Sequence, residues 1–451
     1  MDRRYTGGKY GTDCVSRLRL DEFRCGSALE DPGGVGDPVV QAGTSATGLP
    51  ASFAGREGYS FEVIRAGRRR GELVSVPRIS IAIPYKQRLK NLRMALEGLA
   101  RQTLPMDCFE VVVGAMEYCS DLYALVEEFA PRLDLVVVMT GRNFAIPRAR
   151  NVAMRQARGD IVMQMDADTL LGPDALAVVS RRFAFDPDLC VVGQVVGYDN
   201  NKDGDVNLLE ETPFEEHVAR FETLRASQDW PLDPRFRVPH TIPWAFGWTG
   251  LIALPRRLVV THDLFFDEAF AGWGIDDLEW SFRVSRARIP IVLEVDASGL
   301  HLPHFRDSIA NDAAEAANYE VFLAKWPCPD VELCAAIGDL KANGAWEDYR
   351  ASVRGVSAGA GLGCVRAGRP GAEVALLGVD LDTDGALLDP ATVDALLPGS
   401  PSEVLPLTGL RTPWAKGRFV ECCVMPAVAS LPDVYASAIK AEAARLSASG
   451  P

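Results

Sequence analysis

The chain reads as an α/β protein built on a mainly parallel sheet, and three observations carry that reading. From Val76 onward, short runs rich in Ile and Val alternate with stretches in which Leu recurs at helical spacing. Prolines and glycines punctuate the alternation, as Pro84, Gly114, Pro131 and Gly159 do. The stretch Gly159-Asp160-Ile161-Val162-Met163-Gln164-Met165-Asp166-Ala167-Asp168 then reads as a buried strand ending, at its carboxyl tip, on two carboxylates one residue apart.

In chain order, residues 1–75 are rich in Gly, Arg and Ser without strong periodicity. They read as an irregular or short-stranded extension, with 32–48 the best stretch for disorder and Arg68-Arg69-Arg70 a solvated basic face. Arg78 to Pro84 is a strand stopped by proline, and Leu89, Leu92, Leu96 and Leu99 give the following helix one apolar stripe. Phe109 to Gly114 is the second strand; Leu122, Leu125, Val126 and Phe129 face the next helix, which Pro131 ends. Leu133 to Met139 is a third strand, Pro147 to Ala157 a third helix, and Ile161 to Met165 the fourth strand. Pro173 and Asp174 open a helix through Phe183, and Cys190 to Gly193 suggests a further strand. Residues 199–245 are polar and broken by five prolines (Pro213, Pro231, Pro234, Pro239, Pro243), as in a functional or disordered loop region. Residues 308–353 look helical with Trp326 and Trp346 as anchors, and the glycine-rich stretch 355–371 reads as a linker. Glu373 to Val379, Phe419 to Val424 and an Ala-rich helix over Tyr435 to Leu446 imply a small C-terminal module.

With 451 residues the chain is long enough for two or three domains. Its 47 basic and 61 acidic residues leave a net charge of −14, which argues against general nucleic-acid binding. No run of eighteen apolar residues occurs, so no spanning segment is expected. Asp2, Arg3 and Arg4 open the sequence without an apolar h-region, and the ten cysteines lack paired CxxC spacing. A reducing, cytoplasmic setting fits best.

Four stretches carry chemistry. Ligands bind outside the carboxyl ends of strands in open α/β sheets. There Asp166 and Asp168 offer hard oxygen donors to a divalent cation, which can neutralise phosphate oxygens. The plain alternative is a strand end that caps the next helix. The second stretch runs from Phe266-Asp267-Glu268 through Gly272-Trp273-Gly274 to Asp276-Asp277 and Arg283. Its acidic pair stands where a helix begins, so capping alone would explain it. A carboxylate so placed can also take the proton of an attacking hydroxyl, with Asp277 as the base and Asp276 orienting the acceptor. In the third, His301 and His304, two of five histidines, follow an apolar strand at i, i+3, and a neutral imidazole there could complete a cation shell. His301 is preferred because it directly follows the strand; His304 could instead bind phosphate or order the loop. The fourth is Arg148-Ala149-Arg150-Asn151, whose arginines suit charge-assisted contacts to a nucleotide or, on an average helix, lie exposed.

Taken in order, Pro84-Tyr85, Gln102-Thr103, Ala149-Arg150-Asn151, Gly159-Asp160, Asp166-Ala167-Asp168, Phe266-Asp267-Glu268, Gly272-Trp273-Gly274 and Asp276-Asp277 resemble glycosyltransferase family 2. His301-Leu302-Pro303-His304 and the Trp-Gly-X-Asp-Asp block look most like members with a galactosyltransferase-type second half, such as chondroitin-polymerase modules and polypeptide N-acetylgalactosaminyltransferases. The resemblance covers about residues 76–306. It implies the GT-A fold, a Rossmann-like α/β nucleotide-diphospho-sugar transferase, and a metal-dependent, inverting transfer, although the polypeptide-modifying relatives retain configuration. Asp168 would ligate Mn2+ or Mg2+ with His301 or His304, Asp166 would meet the ribose or the cation, and Asp277 would be the base. Pro84, Tyr85, Glu117, Arg150, Asp166, Trp273 and Gly274 are the implied donor-binding positions. One departure stands out: the family's Asp-Asp-Gly-Ser turn after the second strand is here Gly114-Ala115-Met116-Glu117-Tyr118-Cys119-Ser120-Asp121, in which Glu117 or Asp121 would replace the uracil-contacting Asp.

The expectation is a soluble enzyme moving a hexose or N-acetylhexosamine from a UDP-sugar to a hydroxyl acceptor. The Arg-, Ala- and Gly-heavy composition points to a bacterial source, where acceptors include polysaccharides and specialised metabolites. Its parts are an extension (1–75), a donor half (76–180), an acceptor half (181–306), a helical segment (307–354) and an accessory module (355–451) suited to homodimerisation or acceptor capture. Trp230, Trp244, Phe246 and Trp248 would offer the acceptor stacking surfaces, or simply pack a core. Two alternatives stay open. A sugar-nucleotide nucleotidyltransferase would carry a glycine-rich phosphate loop, which Pro84-Tyr85-Lys86-Gln87-Arg88 lacks. A non-catalytic carbohydrate-binding scaffold would bind glycan without nucleotide or metal.

Overall fold

The computed structural model describes residues 53–54, 60–66, 78–117, 120–140, 145–197, 212–397, 399 and 401–447. The stretch 32–48, Arg68-Arg69-Arg70, residues 199–211 and Tyr118-Cys119 lie outside the described residues. The described residues up to Asn318 form one compact unit and those from Tyr319 another. Among the described residues no helix is long and apolar enough to cross a membrane.

The larger unit begins with β1 (Phe53–Ala54), β2 (Ser60–Ala66), β3 (Ile79–Tyr85), α1 (Leu89–Leu99), β4 (Phe109–Ala115), α2 (Ser120–Phe129), β5 (Leu135–Thr140), α3 (Ile146–Gln156) and β6 (Ile161–Met165). It continues through β7 (Thr169–Leu171), α4 (Ala175–Phe185), β8 (Cys190–Gly197), α5 (Phe214–Arg225), β9 (Leu251–Pro255), α6 (Arg256–Thr261), α7 (Asp276–Arg286), β10 (Ile291–His301) and the start of α8 (Ser308–Lys325). Its ten strands lie in one sheet, ordered β1-β2-β5-β4-β3-β6-β9-β8-β10-β7. The parallel reading holds for the β5-β4-β3-β6 core. Beyond it the sheet is mixed, because β9 enters antiparallel to both β6 and β8. β2 pairs antiparallel with β5, so part of the stretch before Val76 belongs to this sheet.

The apolar runs have no polar face because both sides of the sheet are covered. Ile81, Ile83, Val111, Val113, Val137 and Met163 pack with Leu92 and Leu96 of α1, Leu125 and Phe129 of α2, and Leu176 and Phe183 of α4. The alternate residues Ala82, Val112, Val136 and Val162 pack with Val152 and Met154 of α3 and Trp280 and Val284 of α7. Residues 212–245, read as loop, contain α5, which buries only His217 and Phe221 along its length. Trp244 and Phe246 are core residues, Trp244 lying edge-on to Phe282 at 5.4 Å.

The second unit holds α9 (Pro329–Ile337), α10 (Asp339–Val356), β11 (Gly361–Ala367), β12 (Val374–Leu381), α11 (Pro390–Leu396), β13 (Pro401–Leu405), β14 (Glu421–Val424) and α12 (Asp433–Ser447). Its sheet runs β13-β11-β12-β14. The linker reading of 355–371 is therefore corrected: β11 is an inner strand. A side chain at Gly363 would stand 2.6 Å from Leu381 Cδ1, so this glycine serves close packing rather than flexibility. Trp326 and Trp346 are only partly buried; Tyr319, Phe322 and Tyr349 are the buried aromatics of this region.

Candidate active site

The tips of β6 and β10 build one half of the site. Antiparallel pairing places His301 opposite Thr169, and Leu302 N–H donates to the Asp168 carbonyl at 2.7 Å, so the histidine loop is stitched to the acidic tip. Asn91 of α1 donates to Pro303 O at 3.1 Å and holds the loop from the other side. His301 Nε2 lies 3.7 Å from Asp168 Oδ1 and His304 Nδ1 lies 3.6 Å from Oδ2. One donor atom from each of the three residues falls within 4.8 Å of the others. Asp168 is 1% and His304 7% exposed, and Asp168 Oδ1 and His304 Nδ1 are buried without a hydrogen-bond partner.

His301 Nδ1 faces the Leu302 carbonyl at 3.1 Å, which can only accept, so in the neutral ring Nε2 carries the lone pair turned to Asp168. Burial lowers the His304 imidazole to about 4, which keeps it neutral, the form that ligates metal. Burial works to raise the Asp168 carboxyl, but His301, Arg88 and His304 together hold it below the usual carboxylate range. Arg88, from the turn after β3, donates to Asp168 Oδ2.

The acid pair at the start of α7 forms the other half. Gly272, Gly274 and Ile275 all have left-handed backbones, with φ of 75°, 87° and 73°. For a β-branched residue such as Ile275 this is strained, and it turns the chain sharply into Asp276-Asp277. Asp276 pairs with Arg150, whose guanidinium also reaches Thr249 Oγ1 and, at 3.4 Å, Asp166 Oδ1. Arg150 thereby ties the strand tip to the helix start. Asp277 Oδ2 accepts from Thr249 N–H at 3.4 Å. Burial, then the neighbouring charge of Asp276, pushes Asp277 up to about 7, and burial also raises Asp166.

Residues flanking Arg150 brace the same region. Arg148 pairs with Glu268 at 2.9 Å, and Asn151 clamps the Phe266 backbone, accepting from its N–H at 2.7 Å and donating to its carbonyl at 2.8 Å. Pro84 and Tyr85 end β3, with Tyr85 only 1% exposed in the core. Glu117 accepts from Gln87 N–H at 2.6 Å, joining the turns after β4 and β3. Arg306 lies over the half-buried Trp273 ring at 4.6 Å, and Gly274 O accepts from Asn318 at 2.9 Å.

Two clusters result, Asp168 with His301 and His304, and Arg150 with Asp166, Asp276 and, through Thr249, Asp277; the two-residue step from Asp166 to Asp168 at the tip of β6 joins them into one site. Arg88 and Thr249 complete it and were not singled out from sequence. Arg88 carried a weak signal as a basic residue just after the first strand; Thr249 carried none.

The profile for glycosyl transferase family 2 matches residues 80–242. A validoxylamine A glucosyltransferase of Streptomyces hygroscopicus subsp. jinggangensis is 30% identical over 294 residues, covering 62% of this chain and 68% of the relative. Chondroitin synthase of Escherichia coli is 26% identical over 247 residues, covering 50% of this chain and 35% of that one. The solved S. aureus TarS 1-349 covers 61% of this chain and 74% of its own at 16% identity and a TM-score of 0.43, too loose a likeness to argue from.

Proposed function

The chain belongs to glycosyl transferase family 2 and is a glycosyltransferase, and from that premise we propose that it moves a hexose from a UDP-sugar to a hydroxyl acceptor, with inversion and with a divalent cation. The observation that supports this most is that the Asp168-His301-His304 cluster stands two residues from Asp166, which Arg150 and Thr249 link to Asp277. The orphaned Asp168 Oδ1 and His304 Nδ1 fit a cation, and the mixed carboxylate and imidazole set favours Mn2+ over Mg2+. When bound, such an ion neutralises the diphosphate.

The chain's own residues do the remaining work. Asp277, kept near neutrality in its pKa, takes the acceptor hydroxyl proton as that oxygen attacks the anomeric carbon. The bond from that carbon to the diphosphate oxygen breaks on the opposite face, and UDP leaves with the electron pair. Thr249, itself bound by Arg150, positions Asp277 through its N–H. Resemblance to an enzyme named validoxylamine A glucosyltransferase makes a glucosyl donor and validoxylamine A the first pair to try.

The test is UDP-glucose and UDP-N-acetylglucosamine turnover with and without EDTA, for wild type, Asp168→Ala and Asp277→Ala. EDTA and either substitution should abolish turnover, and Mn2+ should restore the chelated wild type. Turnover indifferent to chelator and to both substitutions sinks the assignment.

A further inference from the structure

We propose that Arg88 is a placeholder: it neutralises Asp168 in the empty enzyme and passes to the donor diphosphate on binding, so that cation and nucleotide bind weakly apart and tightly together. This rests on the reading of Asp168, His301 and His304 as a cation site.

A carboxylate as enclosed as Asp168 needs a counter-charge, and Arg88 supplies it. Arg88 touches Oδ2, the oxygen 3.6 Å from His304 Nδ1 and so on the edge of the donor triangle. A divalent ion bonded to all three donors would compete for that oxygen and meet a guanidinium a few ångströms away, a repulsion that low dielectric strengthens. An anion between the two relieves it while keeping both charges in the site. A diphosphate does so, and its paired oxygens match the planar donor fork of arginine.

Arg88 is also free to move where Arg150 is not. Its side chain is 41% exposed, whereas that of Arg150 is 7% exposed and bound to Asp276, Asp166 and Thr249. The backbone beneath Arg88 is fixed: Gln87, with φ of 54°, is held by Glu117. The swing therefore belongs to the side chain alone, and it starts at the carboxyl end of β3, where ligands of α/β sheets bind. Arg306, the other guanidinium acting on Asp168, rests over Trp273.

The test is calorimetric titration of MnCl2 into the full-length protein, with and without saturating UDP, for wild type, Arg88→Gln, Arg88→Lys and Asp168→Asn. Wild type should bind Mn2+ at least tenfold more tightly with UDP present. Arg88→Gln should bind Mn2+ alone about tenfold more tightly, because its competitor is gone, and UDP in the presence of Mn2+ about tenfold more weakly. The coupling between the two ligands, reciprocal by linkage, should shrink accordingly. Arg88→Lys, which keeps the charge, should stay near wild type. If Arg88→Gln leaves Mn2+ affinity without UDP unchanged or weaker while Asp168→Asn abolishes it, the placeholder role is overturned and the cation site survives. Mn2+ binding that ignores Asp168→Asn removes the cation site itself.

Discussion

Arg150 and Asp276 form an ion pair 126 residues apart in sequence, with side chains 7% and 6% exposed. Removing one member of such a pair strands the other. Arg150→Ala should cost about 3–5 kcal/mol in urea unfolding, because Asp276 loses its counter-charge inside the protein. Arg150→Lys keeps the charge but cannot reach Asp276, Asp166 and Thr249 from one planar group, and should fall between. A loss under about 1 kcal/mol for the alanine variant would show that the pair is not what holds α7 to the sheet.

The pH profile follows from Asp277. It serves as a base only when ionised, and its pKa sits at about 7, so kcat/KM should rise tenfold per pH unit below 7 and level off above it. Asp276→Asn removes a neighbouring negative charge and should move the limb to lower pH; Asp277→Asn should remove it along with most of the activity. The same shift acts on stability with the sign of an acid whose folded pKa is raised. Its contribution is fullest below the ordinary 3.8 and is lost as pH rises through about 7. A limb that stays in place in Asp276→Asn would assign it to another group.

The legible parts of this chain were those with a local signature. Strands β3 to β6 are buried on both faces and so read as mostly apolar runs broken by single polar residues such as Ser80, Glu110 and Gln164; Asp168 stands just past one of them, and His301 ends a strand that alternates with Glu294, Asp296 and Ser298. Helix α5 reads as loop because prolines and polar residues surround it, although Phe214, Val218, Phe221 and Leu224 recur at helical spacing and pack together. β11 looks like a linker in sequence because Gly363 is there to admit Leu381, a reason that exists only in three dimensions. The pairing of Arg88 with Asp168, 80 residues apart, and the links of Thr249 to Arg150 and Asp277 have no periodicity at all.

Gly114 tests how tightly the site depends on α3. A Cβ there would stand 2.0 Å from the Ala149 carbonyl oxygen, so Gly114→Ala must push away the helix that carries Arg148, Arg150 and Asn151. Overpacking of this kind costs about 1–3 kcal/mol. Displacing a positioning group by about 1 Å can lower turnover roughly 100-fold. Gly344→Ala is the control: this helical glycine has nothing within 4 Å of the added carbon, and alanine should leave stability equal or slightly higher. Equal behaviour of the two variants would mean that β4 and α3 are not in contact as described.

In the second unit the corresponding keystone is Glu332. Its fully buried carboxylate accepts from the backbone N–H groups of Thr408, Gly409 and Leu410, at 2.9, 2.6 and 2.8 Å, and from Tyr349 Oη at 3.0 Å. Those three amides lie on a loop that the carboxylate holds against α9. Glu332→Ala would leave them buried without an acceptor, at about 1–3 kcal/mol each, so the unit should lose several kcal/mol and melt at clearly lower temperature. Glu332→Gln keeps one acceptor oxygen but turns an NH2 group towards the remaining donors, and should fall short of wild type while exceeding alanine. Hydrogen exchange gives the sharper reading. The amides of Thr408, Gly409 and Leu410 should be protected in wild type and exchange faster in Glu332→Ala, and protection unchanged in the variant would show that the loop is held by something else.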